Sequence, residues 1–185
     1  MSAATPLVSS ALPGPGEREP LVRAALAALP AGCWWVPGHR EWPLATLRGV
    51  PEARLADPSA GAAPYKVAPV SDAPALRALY AVGLAAASGR PVVVHLGDGA
   101  LADGAFAEAM NLAVTLAAPA LFVIATRDLS GAPVPVQGPR ASALAAAWGL
   151  EWVMVSDAGA VGDALRAQIA AGRPAVLELR LGAGT

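Results

Sequence analysis

From residue 71 onward, stretches with helical period alternate with short and almost wholly apolar runs, and the junctions carry glycine, proline or a capping side chain. Ser71-Asp72 with Pro74 opens a helix predicted to reach about Ala87, and Val92-Val93-Val94-His95-Leu96 follows as a strand. A helix is expected from about Gly104 to Leu116, a strand over Leu121–Ala125, a helix over Pro139–Trp148 and a strand over Glu151–Val155. Ser156-Asp157 caps a helix with Val161, Leu165 and Ile169 on one face. Gly172 stops it, and Ala175–Leu181 is the last strand. Strands apolar at successive positions must be covered on both sides. The pattern therefore predicts an α/β fold, a parallel sheet with helices on both faces. Ligands of such sheets lie beyond the carboxyl ends of the strands.

The preceding segment is less regular. Residues 1–18 are rich in Ser, Pro and Gly and read as a mobile arm, leaving 19–185 as one α/β domain. Glu19 to Leu29 forms a helix with Leu21, Val22, Ala25, Leu26 and Leu29 on one face, ended by Pro30 and Gly32. Trp34-Trp35-Val36 is a short strand, Pro43 to Gly49 a helical turn or two, and Pro51 to Val70 a loop. The net charge of −1 makes neither nucleic acid nor an anionic membrane an expected partner. The apolar run from Ala109 to Thr126 is interrupted by Asn111 and split by Pro119, so it predicts no membrane span. No basic stretch followed by an apolar leader is visible. Cys33 is the only cysteine and is expected to be buried and inert; a cytoplasmic location fits both observations.

Chemistry concentrates after the strand at 92–96. Gly97-Asp98-Gly99-Ala100 is followed by Asp103-Gly104 and a helix carrying Phe106, Glu108, Met110 and Asn111. Strand, glycine turn and helix start form a geometry that holds phosphate, because glycine admits close approach and the helix start offers free N–H groups. A bare carboxylate repels a diphosphate. Asp98 is thus read as a ligand for a hard cation such as Mg²⁺, or else as a turn or helix-capping residue. Gly97 to Ala102 also matches the G-x-G-x-x-A form of a dinucleotide-binding turn. That alternative is weaker, since Asp98 would face the pyrophosphate and no acidic residue stands about 20 positions on to hold a ribose.

Gly97-Asp98-Gly99-Ala100, Asp103-Gly104, Phe106, Glu108 through Ala113, Ala118-Pro119 and Leu121 through Ile124 closely resemble the thiamine-diphosphate motif of the alpha subunit of 2-oxoacid dehydrogenases of the pyruvate and branched-chain types. Trp35 through Glu41, Leu44 to Pro51 and Gly149 to Leu179 resemble the same subunit more weakly. The resemblance implies a thiamine-diphosphate-binding (diphosphate-domain) fold and a role in oxidative decarboxylation of a 2-oxo acid with acyl transfer to lipoyl. It implies thiamine diphosphate and Mg²⁺ as cofactors, with Arg40 on the diphosphate, Gly97, Asp98, Gly99 and Ala100 as the binding turn, and Asp98 as metal ligand. It also implies a homo-oligomer or a beta-type partner subunit, because that family's cofactor lies between two domains.

The chain departs from the family pattern in several places. Thr126-Arg127 occupies the position of an Asn pair that would complete the metal site, and a guanidinium cannot ligate Mg²⁺. Asp128 is the next candidate ligand. Alternatively, Arg127 pairs with Asp98 and replaces the metal charge. Leu76 and Arg77 stand where small residues let the helix approach the cofactor, and both are expected to crowd it. Trp42 occupies the place of a family histidine, no Gly-His occurs near the carboxyl end, and no catalytic residue is assigned. The departures leave a degraded cofactor site, or an inert structural or regulatory homologue. His39 is expected in a loop, Arg40 at the surface or in an ion pair, and His95 in the core. Asn111 is read as structurally hydrogen-bonded. Trp34, Trp35, Trp148 and Trp152 are read as core or interface aromatics.

Overall fold

A computed structural model of the chain describes residues 16–127 and 140–181. The strands are β1 (Trp34–Val36), β2 (Val92–Gly97), β3 (Ala120–Arg127), β4 (Glu151–Val155) and β5 (Ala175–Leu181). The α-helices are α1 (Glu19–Ala28), α2 (Pro74–Ser88), α3 (Gly104–Thr115), α4 (Ala141–Trp148) and α5 (Ala158–Ala171). All strand pairs are parallel, in the order β1-β2-β3-β5-β4. β5 thus inserts between β3 and β4, an order that the linear alternation of elements does not reveal. Val92↔Ala120 and Leu121↔Ala175 set the registers of the central pairs.

Burial on both sides explains the continuous apolar runs. Val93, Leu121, Val123, Leu177 and Leu179 pack on the side of α1 and α5. Val92, Val94, Phe122, Ile124 and Val176 pack on the side of α2, α3 and α4. Phe106 of α3 meets Phe122 of β3 edge to face, with centroids 5.5 Å apart. Gly172 ends α5 as expected. Gly89, Gly149 and Gly172 all adopt left-handed φ at the ends of α2, α4 and α5, which glycine does without a Cβ penalty.

Gly16–Arg18 form a short 3₁₀ turn with the Arg18 side chain packed; residues 1–15 lie outside the described residues. Two expectations shift. The stretch 51–70 contains short 3₁₀ turns and bridges to β1 through Trp35↔Val67, where backbone pairing orders a segment that lacks hydrophobic period. Asp157 stands at the start of α5, but its side chain makes no capping bond. Among the described residues, no helix is long and apolar enough to cross a membrane.

Candidate functional site

The carboxyl ends of β1 and β2 open into a cleft of about 580 Å³ beside the amino end of α2. β1 delivers Gly38, His39, Arg40 and Glu41. β2 delivers Gly97, Asp98, Gly99, Ala100 and Asp103. The start of α2 contributes Asp72, Pro74, Ala75 and Arg77, and Arg18 reaches in from the amino-terminal turn.

The glycine turn is built by its own acids. β2 ends at Gly97, and Asp98–Ala102 form a 3₁₀ turn before α3 begins. Asp98 Oδ1 accepts the N–H of Gly99 at 2.9 Å, and Asp103 Oδ1 accepts the N–H of Ala105 at 2.9 Å and caps α3. No atom lies within 4 Å of the place a Cβ would take at Gly97 or Gly99, so the space above the turn is open. The helix starts only at Gly104. A dinucleotide turn needs its glycines to lead straight into a helix, and this one does not.

The cleft floor holds buried charge. Arg18 Nη1 donates to Glu41 Oε1 at 3.2 Å, with side chains only 11% and 6% exposed. Arg77 is buried, and its guanidinium donates to the carbonyls of Ser71 at 3.0 Å and His95 at 3.5 Å. Burial lowers the pKa of Arg77 and the nearby Glu41 opposes that shift. Its Nε has no partner. Gly38 permits close approach here: a Cβ would lie 2.5 Å from Glu41 Oε2 and 3.0 Å from Arg77 Nη2, and those side-chain ends would have to move. Beneath the cleft, Trp35 Nε1 donates to His95 Nδ1 at 2.7 Å. That bond places the neutral imidazole's proton on Nε2, which is buried without a partner. Desolvation drives the His95 pKa down to about 4; Glu41 opposes the shift, while Arg18 and Arg77 add to it.

The structure brings Arg40, Gly97, Asp98, Gly99 and Ala100 into one cleft, with Arg40 exposed on its rim. The backbone of Arg127 ends β3; its side chain and all of Asp128 lie outside the described residues, as do the expected Asp98–Arg127 pair and the Asp98–Asp128 metal site. Leu76 does not crowd the cleft. It is 53% exposed on the outer side of α2, one residue off the register that points Arg77 inward. Trp42 does not face the cleft either. It is fully buried and donates Nε1–H to the carbonyl of Leu55 at 2.9 Å. His39 pairs with Asp72 at 2.6 Å. Asn111 bonds Glu108 at 3.3 Å, as a structural role requires. Burial pushes the Cys33 thiol up to about 11. Trp35 is wholly buried, while Trp148 is 36% exposed. Arg77 lines the cleft, where it was expected to intrude. Sequence reasoning missed Arg18 and Gly38.

No protein-family profile matches the sequence, and no curated protein matches it. Solved structures do. An enzyme of Mycobacterium smegmatis described as thiamin diphosphate-dependent superposes with a TM-score of 0.64 at 20% identity, over 95% of this chain and 32% of its own. Benzoylformate decarboxylase from Polynucleobacter necessarius gives 0.61 at 16% identity, over 88% and 32%. The thiamine diphosphate-dependent 4-hydroxybenzoylformate decarboxylase of Rhodococcus jostii RHA1 gives 0.57 at 20% identity, over 100% and 36%. The chain therefore has the α/β fold of the thiamine-diphosphate-binding domain. It spans about a third of the length of these enzymes.

The open turn at Gly97–Gly99 fits a diphosphate, since no protein atom fills the place where side chains would stand. The described donors alone do not make up a magnesium site; Asp128, expected beside Asp98, lies outside them. Among the described residues, no group of three or more His, Cys, Asp or Glu is placed to hold a metal ion. Asp103 is committed to its helix and Asp72 to His39.

Proposed function

We propose that this chain is a partner-dependent subunit of the 2-oxoacid dehydrogenase alpha type, with a degraded cofactor site that retains the diphosphate end of thiamine diphosphate. The open glycine turn at the carboxyl end of β2, facing cationic side chains from β1 and α2, carries this reading. Bound thiamine diphosphate supplies the nucleophilic carbon and electron sink for decarboxylating a 2-oxo acid. This chain's own part is narrower. The turn admits the phosphates and Arg40 offers charge from the rim. His95 cannot serve as a base for the cofactor, because it is buried beneath the cleft with Nδ1 already bonded to Trp35. Acid–base groups are therefore expected from a beta-type subunit or a second copy. α2 presents Leu76 and Tyr80, both about half exposed and one helical turn apart, on a face suited to such a partner.

Titration calorimetry tests the reading. Thiamine diphosphate should bind and thiamine should not, and inorganic pyrophosphate should compete. Gly99→Phe fills the open space above the turn and should abolish binding at an unchanged melting temperature. Equal binding of thiamine and its diphosphate would refute the proposal. A second reading, an inert structural or regulatory homologue, is favoured by the buried charges of the floor; absence of any binding, with assembly intact, would select it.

A further inference from the structure

The floor of the cleft is short of negative charge. Among the described residues its buried charged groups are Arg18, Glu41 and Arg77, two cations and one anion, and Glu41 is engaged by Arg18. Arg77 is 6% exposed, makes no ion pair within 4.0 Å among the described residues, and is held by two neutral carbonyls. Its Nε is a buried donor with no acceptor. A desolvated cation in that condition is costly unless a counter-charge completes it. Glu41 lies near enough to favour the charged guanidinium but is bonded to Arg18, so one carboxylate is shared by two cations, and the other described carboxylates of the cleft add none. Asp72 is 99% exposed at its side chain and pairs with His39, while Asp103 is exposed and caps α3. Asp98 turns one oxygen to the N–H of Gly99.

We propose that Arg77 makes this cleft a metal-independent oxyanion site, in which a terminal phosphate of a diphosphate docks on the guanidinium of Arg77, with Arg40 at the rim. The fork of an arginine matches phosphate oxygens in a way a point charge does not. The guanidinium thus takes the place of a divalent ion, and Asp98 becomes a repulsive neighbour of the ligand rather than a ligand of a metal. The identity of the diphosphate as thiamine diphosphate rests on the function proposed above; the site itself does not.

The test is calorimetric titration of the full chain with inorganic pyrophosphate and with thiamine diphosphate, each with Mg²⁺ and with EDTA in its place. Pyrophosphate should bind equally well in EDTA. Arg77→Met should weaken it about tenfold or more, as loss of a charge-assisted pair does. Asp98→Asn should preserve or tighten binding, because it removes a negative charge from the site. Arg77→Lys keeps the charge and loses the fork. It should give an intermediate affinity and reports on the site even if Arg77→Met fails to fold. Binding that needs Mg²⁺ and vanishes in Asp98→Asn would overturn the metal-independent site and leave the cofactor reading standing. Pyrophosphate binding in EDTA without thiamine diphosphate binding would do the reverse. No binding of either ligand in either buffer would overturn both.

Discussion

Acid should destabilise this protein through His95 at a pH where most proteins are still comfortable. The imidazole is buried against Trp35, accepts its indole N–H, and has Arg18 and Arg77 among the charges around it. Its pKa falls from the ordinary 6.5 to about 4, chiefly because burial penalises the charged ring. The unfolded chain therefore binds the proton more readily than the folded one. Stability is fully present above pH 6.5, is lost as the pH falls from 6.5 towards 4, and loses nothing further from this group below that. At about 1.4 kcal/mol per pH unit the whole loss approaches about 3.5 kcal/mol, and about 2 kcal/mol of it has occurred at about pH 5. For a domain only about 5–15 kcal/mol stable this is a large share. Urea unfolding followed by tryptophan fluorescence, at about pH 7 and about pH 5, measures it. His95→Gln keeps an acceptor for Trp35 and removes the titration, so the variant should lose about 2 kcal/mol less than the parent over that interval. Parallel pH dependence in the two proteins would refute the argument, since it would mean that other groups carry the acid sensitivity.

The remaining predictions use the same measurement or simple labelling. Gly38→Ala forces a Cβ to within 2.5 Å of Glu41 Oε2, so it should cost about 1–3 kcal/mol by urea unfolding, whereas Gly83→Ala, exposed inside α2 where the added atom meets nothing, should stabilise by about 0.5–1 kcal/mol. Cys33, with its thiol pushed up to about 11 and buried, should resist thiol reagents at neutral pH until the protein is unfolded; labelling of the native protein at the denatured rate would contradict its burial. Glu178 is buried and accepts from Thr126 at 2.7 Å and Trp152 at 2.9 Å, tying β3, β4 and β5 together. Glu178→Ala leaves those donors without an acceptor and should cost about 2–4 kcal/mol, which urea unfolding would detect.

Local pattern decided the elements. Three or more consecutive buried positions, as at Val92-Val93-Val94, can only be a strand covered on both sides. The glycines at 89, 149 and 172 ended helices because they alone adopt left-handed φ freely. The same locality made the open glycine turn at Gly97–Gly99 legible. Non-local contact decided the rest. Nothing in the chain orders β5 between β3 and β4, since that choice is made by register and by the helices each face can cover. Leu76 and Arg77 looked alike as intrusions on the cofactor. One step around α2 sends Leu76 to solvent and Arg77 under Gly38, because successive helical residues point about 100° apart. Arg18 joined the site across 23 residues of sequence through its pair with Glu41. The sequence by itself determined an α/β chain with a glycine turn at a strand end. Tertiary structure alone decided which cation stands in that turn's cleft, because burial and charge pairing are properties of surroundings that no single segment contains.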